Sequence, residues 1–221
     1  MEILREDANV GLASPAALAE LARNVRRLRF ARGEHVFRAG DESADYHMVE
    51  SGRVVLSKEA PSGKAFTYLI AVRGMTLNAV TCFGPRPRLF SARVQADATI
   101  LAVPAPVFRQ WVLGCPDVAA GILDTLGRML DGAYTRILDI IDQSADDRVL
   151  NALAMLCARI GPDLPLTNAD VADMAGVSRE TAARAVSRLQ ESGLIAKSRG
   201  AIRILDMPRF AGLATSPLFI L

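Results

Sequence analysis

The sequence predicts an α+β protein in three parts: an N-terminal antiparallel β-roll, a long helix, and a C-terminal winged helix-turn-helix. Three observations carry this reading. Glycine falls at short intervals between apolar-alternating runs from Leu28 to about Pro104. An apolar stripe then advances in steps of four and three from Ala119 to Ser144, and Thr167–Leu189 reads as two short helices about a glycine turn. The expected divisions are residues 1–116, 117–145 and 146–221.

Near the N-terminus, Ser14-Pro15 is an N-cap with proline at the first helical position, opening a short helix over Ala16–Asn24. The turns of the roll are expected at Arg32-Gly33-Glu34, Ala39-Gly40-Asp41, Ser51-Gly52-Arg53, Ser62-Gly63-Lys64 and Arg73-Gly74. Between them lie candidate strands His35–Arg38, Tyr46–Val49, Val54–Lys58, Phe66–Val72, Ala92–Ala96 and Thr99–Val103. Many short strands at regular spacing argue for a small barrel or roll. Pro104–Val112 then turns helical.

Cys115-Pro116-Asp117 starts a helix that can run to about Ser144. Its seam of Ala119, Leu123, Leu126, Leu130, Ala133, Ile137 and Ile140 is a heptad stripe, as a parallel two-helix dimer requires. A helix lying on the chain's own barrel also needs an apolar stripe. Ile122, Met129 and Ile141 lie off the seam and leave room for both. Asp146-Asp147-Arg148 is expected as a hinge before a helix over Val149–Arg159, which Gly161-Pro162-Asp163 breaks.

In the last third, Val171, Ala172 and Ala175 give a first helix a small apolar face. Gly176 supplies a residue able to take positive φ, Val177 is expected to be buried in the turn, and Ser178 is an N-cap. Ala182, Ala185, Val186 and Leu189 fall on one side of the second helix; Arg179, Glu180, Ala183, Arg184, Ser187 and Arg188 fall on the other. Arginine pairs bidentately with guanine in the major groove, and glutamate accepts from cytosine N4. Arg179, Glu180 and Arg184 are therefore the candidate base contacts. Ile195–Ser198 and Ala201–Leu205 flank Arg199-Gly200 as a hairpin wing. Between Ser178 and Arg203 six basic residues face two acidic ones, while the whole chain carries only +2. A locally basic module on a near-neutral chain suits contact with phosphates. Thr167, Ser178, Ser187, Arg188, Lys197 and Arg199 are the candidate backbone contacts, which position without reading sequence.

Composition narrows the rest. No apolar run is long enough to span a membrane, and the acidic MEILREDANVG start is unlike a secretory signal, so a cytoplasmic location is expected. Cys82, Cys115 and Cys157 have neither metal-site spacing nor the evenness of a disulfide framework, which leaves ordinary thiols or a redox switch. Nothing combines a nucleophile with a base, and no loop is built to cradle phosphate. The chain is read as a non-enzyme.

This order of parts resembles the CRP/FNR family of bacterial transcription regulators over almost the whole chain. The strongest motif is Gly176-Val177-Ser178-Arg179-Glu180-Thr181 with Arg184, which looks like the family's recognition helix. The resemblance implies a homodimer, a β-roll like a cyclic-nucleotide-binding domain, double-stranded DNA as partner, and RNA polymerase as a further one. It also implies a small effector that reorients the DNA-binding domains through the long helix. The Arg-Glu-x-x-x-Arg spacing is similar to the catabolite-activator subgroup and implies an inverted repeat close to TGTGA-N6-TCACA.

The sensing end departs from that subgroup. Where cyclic-nucleotide binders of the family carry a Gly-Glu pair and an Arg-Ser pair, this chain has Asn78-Ala79 and Phe90-Ser91; on the long helix the matching residues are Ala133 and Tyr134. Without the phosphate arginine, cyclic AMP is not expected. Arg86, Arg88 and Arg93 lie off register and are expected on the wrong face. The candidate effector pocket is Leu77, Asn78, Ala79, Phe90, Ser91, Ala133 and Tyr134. An N-terminus without cysteine removes an iron–sulfur cluster of the family's oxygen-sensing branch. Haem, for CO or NO sensing, stays open, with His35, His47 and Cys82 as its possible ligands. A reading from another class is a small-molecule module whose winged helix binds protein rather than DNA.

Overall fold

The computed structural model describes residues 2–42, 44–60, 65–77, 79–84 and 87–214. It forms two compact units, residues 1–59 with 68–125 and residues 60–67 with 126–221.

The first unit begins with α1 (Glu2–Arg5), a 3-10 turn (Val10–Leu12) and α2 (Pro15–Ala22), the last capped by Ser14, whose hydroxyl accepts from Ala17 N. There follow β1 (Arg26–Phe30), β2 (His35–Phe37), β3 (Asp45–Glu59) and β4 (Ala65–Ala71). A 3-10 turn over Ala79–Phe83 leads to β5 (Ser91–Pro104) and α3 (Ala105–Leu113). The sheet runs β1-β5-β3-β4, with β2 also pairing β5, and the β1, β2 and β3 pairings with β5 are antiparallel.

Two expectations about the roll are corrected. Tyr46–Val49 and Val54–Lys58 are not separate strands but halves of β3, and Ala92–Ala96 and Thr99–Val103 are halves of β5. The pairing of β3 with β5 slips at Val49/Ser51, Ser51/Arg53 and Arg53/Val54. These bulges bend the strand without ending it. Gly52 carries the bend at φ 87°, where an added Cβ would lie 2.3 Å from the Asp97 carbonyl oxygen. The edge strand β1 was not foreseen. Its exposed Arg26, Arg27 and Arg29 hide the alternation, as charges on a solvent-facing edge do.

The first core gathers Tyr46, Met48, Leu101, Val103, Phe108 and Trp111 under α1 and α2. Tyr46 stacks on Phe108 at 3.9 Å, and Trp111 Nε1 donates to Ala17 O at 2.8 Å. The segment before Ser14, blank in the sequence pattern, is held by specific contacts. Buried Asp7 accepts from Asn9 N at 2.9 Å and Val10 N at 2.7 Å. Arg73 grips Glu6 through both Nε and Nη2, at 2.9 and 2.7 Å.

The long helix, α4, spans Pro116–Asp142. Val118 is buried and Ala119 and Ile122 pack on the first core. From Leu123 onward the apolar side chains Leu123, Leu130, Tyr134, Ile137, Leu138, Ile140 and Ile141 are exposed in the single chain.

The rest of the second unit is α5 (Ala145–Ile160), β6 (Asp163–Leu164), α6 (Asn168–Ala175), α7 (Arg179–Glu191), β7 (Ile195–Ser198), β8 (Ala201–Ile204) and α8 (Met207–Leu213). Asp146-Asp147-Arg148 is not a hinge but the first turn of α5. The break falls at Gln143-Ser144, where the Ser144 hydroxyl caps α5 by accepting from Asp147 N. Carboxylates at a helix N-terminus answer its unpaired N–H groups, so this acidic run starts a helix. The wing has a third strand, in the order β6-β8-β7. Phe210 of α8 is buried, and residues 215–221 lie outside the described residues.

Candidate nucleic-acid interface and effector segment

The two helices of the DNA-reading unit are joined by local chemistry legible in their residues. Thr167 and Asp170 form a reciprocal capping box at α6: Asp170 N donates to Thr167 Oγ1 at 3.2 Å, and Thr167 N to Asp170 Oδ2 at 2.7 Å. Gly176 ends α6 at φ 65°, the left-handed conformation that glycine adopts without strain. Ser178 caps α7 by accepting from Thr181 N at 3.1 Å. Val171, Ala172, Met174 and Ala175 of α6 and Ala182, Ala185 and Val186 of α7 are buried, and α6 packs on α7. Val177 is half-buried rather than buried. That leaves Arg179, Glu180, Arg184, Ser187 and Arg188 exposed on α7.

The charges of this face differ in how far they are engaged. Arg184 donates to Glu180 one turn earlier at 3.3 Å, which sets both side chains over the same part of the helix. Arg188 pairs with Asp146 of α5, and Arg203 with Asp163 across β8 and β6. Among the described residues Arg179, Lys197 and Arg199 pair with no carboxylate. Burial raises the carboxyl of Asp173 on α6, and the Arg179 charge acts against that rise. Lys197 and Arg199 stand exposed at the tip of the β7–β8 hairpin. The Thr167 and Ser178 hydroxyls are already engaged as caps.

In the effector segment Leu77 is buried, Phe90 stacks on Tyr68 at 4.6 Å, and Ser91 Oγ accepts from Ala39 N at 2.9 Å. Ala79 opens the 3-10 turn, Asn78 lies outside the described residues, and Ala133 and Tyr134 are exposed on α4. An open depression of about 450 Å³ is lined instead by Arg29, Phe30, Ala31, Ser51, Asp97, Ala98 and Thr99.

The residue that sequence reasoning misplaced is Arg88. It precedes β5, so strand alternation does not govern it, and it is 3% exposed. Its guanidinium donates to Thr81 Oγ1 at 2.8 Å and to the Asp45 carbonyl, lies 3.4 Å from His47 Nδ1, and sits 4.2 Å above the Phe37 ring. Arg86 lies outside the described residues, and Arg93 is exposed on β5 with Nε on the Gly33 carbonyl.

The three possible haem ligands sit in three different surroundings. Burial, then the charge of Arg88, lowers the His47 pKa to about 4. A guanidinium against its ring nitrogen opposes the approach of a second cation. Cys82 is packed in the first core, and His35 is half-buried, its pKa lowered by desolvation and by Arg38 and Arg93. No group of three His, Cys, Asp or Glu side chains is placed to hold a metal among the described residues. Neither the His47 ring, held against Arg88, nor the core-packed Cys82 is presented as an open ligand to a haem iron.

Comparison with known proteins agrees with both units. Residues 27–113 match the family model of the cyclic nucleotide-binding domain, and residues 147–213 that of the Crp-like helix-turn-helix domain. A CRP-like cAMP-activated global transcriptional regulator of Mycobacterium tuberculosis is 26% identical over 205 residues, covering 89% of this chain and 92% of that protein. The nitrogen fixation regulation protein FixK of Bradyrhizobium diazoefficiens is 28% identical over 91% of this chain and 87% of its own length. The structure of FixK2 from Bradyrhizobium japonicum superposes with a TM-score of 0.74, at 19% identity, over 87% of this chain and 98% of that one.

A β-roll followed by a winged helix-turn-helix of this type defines a DNA-binding transcription regulator. The chain belongs to the CRP/FNR family. Phe90 is stacked on Tyr68, and the neighbouring Arg88 is held inward by Thr81. No helix is long and apolar enough to cross a membrane among the described residues.

Proposed function

We propose that the protein acts as a cytoplasmic homodimer that reads an inverted repeat close to TGTGA-N6-TCACA and answers to an effector other than cyclic AMP. Residues 1–116 form the sensing domain, 117–145 the dimerisation helix and 146–221 the DNA-binding domain. Arg179 and Arg184 read guanines and Glu180 a cytosine. Lys197 and Arg199 hold phosphates from the wing, with Thr167, Ser178 and Ser187 as further backbone contacts. The dimer closes along Leu123, Leu126, Leu130, Ala133, Ile137 and Ile140. RNA polymerase receives the output, and the protein itself catalyses nothing.

The observation that carries this reading is the exposed Arg179–Glu180–Arg184 face on a helix capped by Ser178 and set by Gly176. Exposed apolar residues along α4, Leu123, Leu130, Ile137 and Ile140 among them, support a partner helix. A dimer places two recognition helices on successive turns of one duplex face, which a palindrome matches.

Fluorescence anisotropy on a labelled inverted repeat, between about 50 and 200 mM salt, tests it. Tight, steeply salt-dependent binding that collapses when either half-site is scrambled is expected. Equal binding to scrambled duplex refutes the half-site, and no binding to any duplex refutes the DNA reading in favour of a protein ligand.

A further inference from the structure

Arg188 sits in the last turn of α7, and its guanidinium reaches a residue 42 positions earlier in the chain, Asp146 in the first turn of α5. Asp146 lies two residues beyond Ser144, the cap at the break between α4 and α5. The pair therefore ties the far end of the DNA-reading helix to the first turn after that break, alongside the packing of α7 on α5. Both side chains are about half exposed, at 53% and 49%, so DNA phosphates can compete for the arginine.

Electrostatics decides between the two roles. If Arg188 left Asp146 for a phosphate, the carboxylate would remain beside the DNA backbone and cancel most of the gained attraction. Lys197 and Arg199, with no carboxylate partner among the described residues, carry no such penalty. We propose that Arg188 is a positioning residue, not a phosphate contact: with Asp146 it braces α7 against α5 and so sets the angle at which the recognition helix meets the groove. This rests on the DNA-reading role of α7 but not on the particular half-site. Two such braces act in a dimer, and their angle fixes the spacing between half-sites that both helices can reach.

The test uses the full-length chain and a duplex that the wild type itself selects from a randomised pool. Asp146→Asn, Arg188→Gln and the double variant are compared by anisotropy across a salt series. A brace predicts that each single variant weakens binding about five- to twenty-fold over the two sites of the dimer. The double variant is then no weaker than either, and the salt slope stays unchanged. It also predicts that preference for the selected half-site spacing, over spacings one base pair longer or shorter, shrinks in all three; a loss of stability alone would scale every duplex equally. A phosphate contact predicts the opposite sign at one position. Asp146→Asn would tighten binding, and Arg188→Gln would lower the salt slope by about one per contact. Either that result, or coupling seen only in urea unfolding with spacing preference intact, overturns the proposal. If the selected duplex is not an inverted repeat, the proposed function fails while the affinity cycle still reads the brace.

Discussion

The guanidinium of Arg88 lies 4.2 Å above the ring of Phe37 and bridges Thr81 and the Asp45 carbonyl, so one side chain joins β2, β3 and the turn before β5. A buried cation held this way by backbone, hydroxyl and aromatic groups is a support of the fold. Removing it takes one donor from Thr81 Oγ1 and one from the Asp45 carbonyl. Arg88→Met is expected to lower stability by about 2–4 kcal/mol. Arg88→Lys should restore little, since an ammonium lacks the planar fork. Urea midpoints measure both; an Arg88→Met midpoint equal to the wild type would remove the residue from the fold's supports.

His47 gives the stability of the first unit a pH dependence. Its ring stays neutral in the folded state down to about pH 4, whereas the unfolded chain takes up the proton near 6.5. Between those values the unfolded state binds more protons, so stability falls as pH falls and is flat above about 6.5. The loss on going from pH 7 to 4 is on the order of 2–4 kcal/mol. Asp7, raised by burial, acts in the opposite direction. The difference between wild type and His47→Gln therefore isolates the histidine, and a difference independent of pH would contradict this.

Two glycines should respond in opposite directions to alanine. At Gly52 the positive φ and the Asp97 carbonyl 2.3 Å from an added Cβ predict a loss of about 2 kcal/mol or more. At Gly127, inside α4 with nothing within 4 Å of an added Cβ, alanine should add about 0.5–1 kcal/mol. Thermal unfolding of both variants provides the comparison.

On DNA, Arg179→Ala should relax selectivity at one base pair, at about 1–3 kcal/mol of lost discrimination. Lys197→Ala should instead weaken all duplexes alike and lower the salt slope by about one per contact. A panel of single-base half-site variants separates the two patterns, and a uniform loss with Arg179→Ala would take that residue out of base reading.

Dimerisation can be tested without DNA. Leu126→Asp with Leu130→Asp places charges in the seam of α4 and should give monomers by light scattering, with loss of inverted-repeat binding. A dimer that survives both substitutions would move the interface elsewhere.

The legible parts of this molecule are those governed by neighbours in the chain. The cap at Ser14, the break after Ile160, the turn at Gly176, the cap at Ser178 and the wing glycine are local devices, and each reads directly from residue type. β3 and β5 were misread as pairs of short strands because Gly52 looks the same in a turn and in a bulge. Only the partner strand decides which it is. The acidic run at Asp146 was misread for a similar reason, since a charged break and an acidic helix start have the same composition until the cap at Ser144 is seen.

The residues alone determined the order of the parts, the class of the protein and the α7 residues that face outward, because helical periodicity and capping act within a few residues. Tertiary structure decided which charges are committed. Arg88 turned inward to Thr81 and Phe37, and Arg188 found Asp146, through contacts between residues far apart in sequence. Nothing in the local sequence marks such partners, because a guanidinium's environment is set by whatever folding brings within a few ångströms of it.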